Sequence, residues 1–230
     1  MSVKLANADR DLIYNFLSRA YRKEVDRRYL EATLPILPRI KELANESDNE
    51  LLKKGEEILS NFLEGIDWDA KAMDELLLDL ARDFCYFFLI GVESVPHSES
   101  VYLSPDHLEK QEPRDEVLEL YRQVGFQISE DFKEPEDHIA LELEFMARLS
   151  HLIMVALNAD NYEDANVLID TRKRFMEEHL VKWVPAFCNF LGEAAQKKGS
   201  PFYEGIAYLT SGLINEDYES TKEHDAIAAS

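Results

Sequence analysis

Residues 134–157 have the sequence EPEDHIALELEFMARLSHLIMVAL, and this stretch decides the fold class. Its large apolar residues recur every three or four positions, the spacing that places side chains on one face of an α-helix. Pro135 fixes the entry, and the Asp137 carboxylate can accept backbone N–H groups in the first turn. We predict a helix from about Glu136 to Leu157. Its predicted buried stripe consists of Ile139, Leu143, Met146, Leu149, Ile153 and Ala156.

Helical spacing continues on both sides of this stretch. Trp68–Ile90 is the longest apolar-rich segment, and we expect it to be central to the core. Between residues 91 and 114 the periodicity is lost among three prolines, which predicts a long loop. No segment alternates apolar and polar residues as a half-buried strand would. Further helices are predicted near residues 7–26, 40–43, 50–64, 115–126, 161–180, 181–197 and 201–213.

Composition agrees with a helical core. The 230 residues include 12 Phe, 10 Tyr and 2 Trp, enough large side chains for a sizeable core, but only 8 Gly and 8 Pro for turns. We predict an all-α fold, a single globular bundle of roughly eight to ten helices. It is expected to span residues 1–218, with the loop at about 91–114 and a disordered tail at 219–230.

The charge balance narrows the possible partners. With 25 Lys and Arg against 46 Asp and Glu, the formal net charge is -21. Such a surface repels phosphate backbones, which argues against nucleic-acid binding, and it attracts basic peptides, although many proteins are simply acidic. No apolar run is long enough for a membrane span or a signal peptide, so we expect a cytoplasmic protein. Cys85 and Cys188 lie in apolar helical runs and are predicted to be buried thiols.

Signatures of enzymes are absent from the sequence. There is no GxSxG, GxGxxG, GxxxxGK[ST] or HExxH motif, which argues against hydrolase, dinucleotide, P-loop and zinc-protease chemistry. No His follows a Glu by three positions, the pair that di-iron bundles use. His138 and Glu142 could share a helix face, but two ligands alone are weak evidence for a metal. We predict no catalytic residue, no metal and no cofactor.

Three segments contain residues that core packing explains poorly. Residues 134–138 (EPEDH) form either a well-made helix start or a carboxylate and an imidazole that bind a peptide. Residues 98–103 (SESVYL) either line a groove or anchor the loop. Residues 175–187, with Phe175, His179, Leu180, Trp183, Pro185 and Phe187, are either core aromatics or part of a site.

Taken together, the motifs resemble the TorD/DmsD/NarJ family of redox-enzyme maturation chaperones, most closely its TorD-like branch. The motifs follow the family's order along most of the chain, with Phe84 in place of a family Tyr and one extra residue before Gly91. They are Leu12-x-x-x-Phe16-Leu17-x-x-x-Tyr21, the stretch Asp83–Gly91, Glu99–Leu103, the E-P-x-D-H signature at 134–138, and F-x-x-x-H-L-x-x-W-x-P-x-F at 175–187.

The resemblance implies an all-helical cytoplasmic chaperone that is not an enzyme, a monomer or a homodimer. Such a protein binds the twin-arginine leader, the apo form, or both, of a molybdopterin oxidoreductase subunit and delays Tat export until cofactor insertion. The peptide-binding residues it implies are Asp137, His138, Glu134, Tyr102, Tyr86 and Phe88.

These residues suggest a mechanism for leader recognition. We expect Asp137 to pair with a leader guanidinium, while Tyr86, Phe88 and Tyr102 line an apolar groove and His138 orients Asp137 or bonds the peptide main chain. Replacing Asp137 with alanine would then weaken leader binding by about 1–3 kcal/mol. The alternatives are a NarJ-like assembly factor for an enzyme that is not exported, a nucleotide-binding helical enzyme, and a purely structural helical subunit.

Overall fold

The computed structural model describes residues 5–90 and 94–228, and within them the chain is almost entirely helical. The helices are α1 (Asn7–Arg22), α2 (Arg27–Thr33), α3 (Leu37–Glu46), α4 (Glu50–Glu64), α5 (Ala70–Phe84), α6 (Glu99–Leu103), α7 (Glu112–Val124), α8 (Ile139–Asn158), α9 (Tyr162–Phe175), α10 (Val181–Lys198) and α11 (Pro201–Ala228). One π-helical turn, Cys85–Leu89, extends α5, and another, Met176–Leu180, joins α9 to α10.

This architecture confirms the all-α prediction. Because α9 and α10 are continuous, the eleven helical segments make ten rods in the described chain, within the predicted eight to ten. Those residues contain no β-strand, only an isolated antiparallel bridge between Ser98 and His138. None of their helices combines the length and the apolar character that crossing a membrane requires.

Helix α8 lies at the centre of the core. It packs against α1 and α9, and α11 packs against α4 and α10. Twelve of the 20 residues of α8 are buried, including the whole predicted stripe. Cys188, on α10, is a buried free thiol as predicted, whereas Cys85 is free but only half-buried.

Helices α4 and α11 cross at backbone contact distance, and glycines make this possible. A Cβ atom on Gly212 would lie 2.4 Å from the Leu52 nitrogen, and one on Gly55 would lie 2.3 Å from the Leu209 nitrogen. Both distances are far inside van der Waals contact, so no larger residue fits at either glycine without moving a helix.

The expectation that Trp68–Ile90 is central to the core holds for the end of this segment but not for most of α5. Only Met73, Leu80 and Phe84 are buried on α5, and Leu78 is 52% exposed. Acidic residues stand between the leucines, so only a narrow stripe of α5 faces the protein. The π turn that follows contributes Phe87 and Phe88 to the core instead.

The predicted loop and the predicted tail both contain helical residues. The region from 91 to 114 contains α6 and the first turn of α7, although Gly91 and the two residues after it lie outside the described residues. Helix α11 continues past Tyr218 as far as Ala228. Arg10 of α1 donates to Ser220 over 3.2 Å, which bonds α11 to α1 just beyond Tyr218. The division into a domain of residues 1–218 and a tail stays a prediction.

Candidate functional site

Two of the three segments singled out in the sequence pair with each other. The Glu99 N–H donates to the Asp137 carbonyl, and the Ile139 N–H donates to the His97 carbonyl, each over 2.9 Å. The isolated β-bridge lies between these two hydrogen bonds. The loop before α8 therefore holds the start of α6, and both motifs form one structural unit.

Asp137 lies at the centre of this unit and is fully buried. Its Oδ2 accepts hydrogen bonds from the Ser100 N–H over 2.8 Å and from the Ser100 hydroxyl over 2.5 Å. The carboxylate therefore stabilises the N-terminus of α6 rather than that of α8. The predicted pairing of Asp137 with a leader guanidinium is not supported, because α6 covers the carboxylate.

His138 is the N-cap of α8, the role that the sequence suggested for Asp137. Its Nδ1 accepts the Ala140 N–H over 3.0 Å, and its ring packs 4.7 Å from that of His97 and 5.3 Å from that of Phe132. Burial, followed by the nearby His97 and Arg22, lowers the pKa of His138 well below its usual value. The imidazole is therefore neutral at pH 7 and orients the helix, not Asp137.

The two glutamates of the EPEDH segment have different surroundings. Glu136 accepts two hydrogen bonds from Arg114, at 2.5 and 2.9 Å, and these lower the pKa of Glu136. The Glu134 side chain is 47% exposed, and the His97 imidazole lies 3.9 Å from its carboxylate. Glu134 thus keeps its carboxylate available to solvent.

The third segment meets the other two in a buried polar cluster. The π turn between α9 and α10 directs His179 Nδ1 to both Glu99 carboxylate oxygens, each 3.0 Å away. The Trp183 indole N–H donates to Glu142 Oε2 over 2.9 Å. All four side chains are buried, so the sequence motifs converge on one place in the interior.

Sequence reasoning missed the part that Glu142 plays in this cluster. Burial, followed by the charges of Glu99 and Asp137, raises the pKa of Glu142 well above its usual value. The signal that could have found it is position: Glu142 stands three residues after Ile139 and four before Met146, on the buried stripe itself. A carboxyl group at a stripe position has to be buried.

Three of the predicted residues line one groove on the surface, which we call the acidic-aromatic groove. It measures about 430 Å³ and is lined by residues of α1, α5 and the adjoining loops, including Glu24, Phe84, Phe88, His97, Glu134 and His138. Two cations in its wall are already partnered. Arg22 pairs with Glu144 and Lys23 lies 3.8 Å from Asp26.

Of the other three predicted residues, Asp137 is buried beneath α6, and Tyr102 and Tyr86 lie elsewhere. Tyr102 lines a second, larger cavity of about 610 Å³, the apolar groove, together with Val95, Pro96, Val101, Phe190 and Ala194. Its hydroxyl donates to the Pro96 carbonyl over 2.7 Å, and its ring packs 5.3 Å from that of Trp183. Tyr86 lines neither groove; its ring lies 5.3 Å from the Lys198 ammonium. The six predicted residues therefore do not all line the same groove.

The cap on α8 predicts a specific acid sensitivity. The folded protein disfavours a proton on His138, whereas the unfolded chain takes one up below about pH 6.5, the ordinary pKa of His. The free energy of unfolding is therefore unaffected by His138 above this pH. Below it, the free energy of unfolding falls by at most about 1.4 kcal/mol per pH unit. His138→Asn keeps a capping side chain without a charge, so we expect it to remove this loss. Urea unfolding of both proteins at pH 5.0, 6.0 and 7.5 measures this loss of stability.

The control for this prediction is His151→Asn, because the His151 side chain is 48% exposed. The free energy of unfolding of that variant is expected to depend on pH in the same way as that of the natural chain. An unchanged pH dependence in His138→Asn would contradict the assignment of the acid sensitivity to the cap.

Metal chemistry finds no support in this geometry, since the described residues bring no three His, Cys, Asp or Glu side chains together as a metal site.

Comparisons with known proteins point to a chaperone. The family model of the nitrate reductase delta subunit matches residues 45–189. The chaperone protein TorD of Vibrio parahaemolyticus is 28% identical over 217 residues, 94% of this chain and 95% of the relative.

Other relatives bear the same name. TorD of Shewanella piezotolerans is 27% identical over 93% of this chain and 92% of its own length. TorD of Photobacterium profundum is 33% identical over 51% of this chain and 53% of its own length. They are named as chaperones rather than as enzymes, in agreement with the resemblance that the motifs gave. The family model covers well over half of the residues, and the chain belongs to the nitrate reductase delta subunit family.

Proposed function

We propose that the protein is a redox-enzyme maturation chaperone that acts in the cytoplasm. It binds the twin-arginine leader or the apo form of a molybdopterin oxidoreductase subunit and delays Tat export until the cofactor is inserted. The TorD chaperones to which the chain is similar over nearly its whole length support this proposal. So does the net charge of -21, which attracts a basic leader.

The observation that carries the proposal is the composition of the acidic-aromatic groove. Glu24 and Glu134 line it and are exposed, and in the described part of the chain neither pairs with a Lys or Arg side chain. Phe84 and Phe88 line its inner wall, and Leu89 beside them is 56% exposed. A leader that joins two arginines to an apolar segment needs this combination of carboxylates and apolar surface.

Each group in the groove then has a role. The Glu24 and Glu134 carboxylates bind the guanidinium groups, and the phenyl rings contact the apolar residues that follow. Asp137 and His138 act indirectly. Asp137 accepts hydrogen bonds at the N-terminus of α6 and His138 caps α8, and these contacts fix the positions of the groove walls. Both residues of the signature are therefore positioning residues in this proposal.

Titration calorimetry with a synthetic twin-arginine leader tests the proposal. We expect binding that weakens with salt and with a twin-lysine leader, because an ammonium cannot make the two-pronged contact of a guanidinium with a carboxylate. The double variant Glu24→Gln/Glu134→Gln is expected to bind about tenfold more weakly, a loss of about 1.4 kcal/mol.

The matched control is Glu116→Gln/Glu119→Gln, which removes the same charge from exposed positions on α7, outside the groove. It is expected to bind the leader as the natural chain does at moderate salt. If both double variants weaken binding equally, net charge rather than the groove recognises the leader. If no leader binds at all, the proposal of leader recognition is wrong.

A second candidate function is NarJ-like assembly of an enzyme that is not exported; the matched family model is described as a nitrate reductase delta subunit. Such a client carries no leader for export, so recognition would rest on the body of the apo-subunit. Capture of co-purifying protein on the tagged chaperone separates the two candidates. A client with a twin-arginine leader supports export control, and a client without one supports assembly alone.

A further inference from the structure

A short segment of the chain forms the wall between the two grooves. We call residues 94–103 the strap: Val95 and Pro96 line the apolar groove, and His97 lines the acidic-aromatic groove. Few backbone hydrogen bonds attach the strap to the bundle. In addition to its pairing with the loop before α8, the Val95 N–H donates to the Phe87 carbonyl over 2.8 Å.

Beneath the strap lies the buried polar cluster, which has more carboxyl groups than cations. Glu99, Asp137 and Glu142 are all fully buried, and His179 is the one imidazole that bonds them in the described residues. Side chains face Glu142 from every element around it. They are Glu99 from α6, Asp137 from the loop before α8, Tyr121 from α7 and Trp183 from α10, while His179 of the π turn bonds Glu99.

Hydrogen bonding in the cluster is incomplete. Four buried side-chain oxygens there have no hydrogen-bond partner among the described residues. They are Ser98 Oγ, Tyr121 OH, Asp137 Oδ1 and Glu142 Oε1. Ionised carboxylates only accept hydrogen bonds, so Glu142 and Glu99, which lie within hydrogen-bond reach, can bond each other only while one of them carries a proton. A half-satisfied buried network is a weak point in a fold.

We infer that the strap is a proton-operated latch, closed while the Glu142 carboxyl is protonated and released when it ionises. Ionisation places two carboxylates, Glu142 and Glu99, side by side in the interior. Glu142 belongs to the central helix α8 and stays in place. Glu99 belongs to the five-residue helix α6, so it reaches water when the strap lifts.

The direction of the pH dependence follows from proton binding. The closed form retains a proton on Glu142 because burial raises its pKa, whereas the open form releases that proton near the ordinary value of about 4.3. As pH rises, the ratio of closed to open protein therefore falls by up to tenfold per pH unit. The fall continues until the pH reaches the raised pKa of Glu142 in the closed form. Opening removes the Pro96–His97 wall and joins the two grooves into one cleft.

Hydrogen exchange followed by NMR tests the latch. The reporters are the amides of Val95, Glu99, Ser100 and Ile139, whose hydrogen bonds break when the strap lifts. After correction for the intrinsic exchange rate, we expect their protection between pH 6 and pH 8 to fall at least tenfold more than that of Leu59 on α4 and Leu209 on α11. Glu142→Gln, which stays neutral, is expected to abolish this difference.

Two further variants complete the test. Glu116→Gln, an exposed change on α7, is expected to leave the pH dependence intact. If Glu142→Gln does not fold, Glu99→Gln replaces it, since removing either carboxylate removes the repulsion. The latch is overturned if protection falls equally at all reporters and at α4 and α11, which would be global unfolding. It is also overturned if the strap amides of the natural chain show no dependence on pH, or if neither Gln variant reduces it.

Discussion

Replacing Gly212 with alanine is expected to lower the free energy of unfolding by about 3 kcal/mol or more. The added methyl group would lie 2.4 Å from the nitrogen and 2.5 Å from the Cα atom of Leu52. These are backbone atoms of α4, so no change of rotamer relieves the overlap, and α4 must move away from α11. Urea unfolding followed by circular dichroism measures the loss.

A second glycine gives the matched control for this prediction. Gly192 is also a buried helical glycine, but a Cβ atom there would meet only the Tyr208 side chain, at an ordinary 3.5 Å. Gly192→Ala is expected to stabilise the protein by about 0.5–1 kcal/mol through helix propensity. If both variants unfold at the same urea concentration, close approach of α4 and α11 does not govern the stability of the bundle.

Replacing Asp217 with alanine is the other change for which we expect a large loss, about 3–5 kcal/mol. Asp217 is almost completely buried, accepts from Arg10 Nε over 2.7 Å and accepts from the Tyr14 hydroxyl over 2.8 Å. A second guanidinium, Arg172, is buried nearby, and burial followed by the Arg10 charge lowers the pKa of Arg172 to about 10. Without the carboxylate, Arg10 is left as an uncompensated charge in the interior.

Two variants separate this charge effect from simple loss of packing. Arg10→Met combined with Asp217→Ala removes the uncompensated charge and is expected to recover part of the stability. Glu219→Ala, on the same helix but at an exposed ion pair with Lys222, is expected to cost less than about 1 kcal/mol. Equal losses in Asp217→Ala and in the Arg10→Met double variant would contradict the electrostatic argument. Thermal unfolding at two salt concentrations provides the comparison.

Helical periodicity was sufficient to predict the fold class and the buried face of α8. It could not predict how much of an apolar face another helix covers, and for that reason Trp68–Ile90 was placed too deep. The candidate site was predictable only in part. Asp137 was recognised as a carboxylate that stabilises a helix N-terminus, but the helix is α6, whose Ser100 lies 37 residues earlier in the chain. No local spacing encodes a contact between positions so far apart.

The acidic-aromatic groove was also beyond the reach of sequence patterns. Glu24 follows the first helix and has no motif around it, yet it lines the same groove as Glu134, which lies 110 residues later in the chain. The π turn at Cys85–Leu89 shifts the register of the side chains that follow α5, which directs Phe88 to the groove and leaves Tyr86 outside it. A 3.6-residue period cannot anticipate that shift.

The tautomer of His138 sets a rule for any chain that enters the groove. Its Nδ1 lone pair is occupied by the Ala140 N–H, so the neutral ring carries its proton on Nε2. At that point the groove offers one hydrogen-bond donor and neither an acceptor nor a charge. A guest can satisfy it with a carbonyl oxygen but not with an amide N–H.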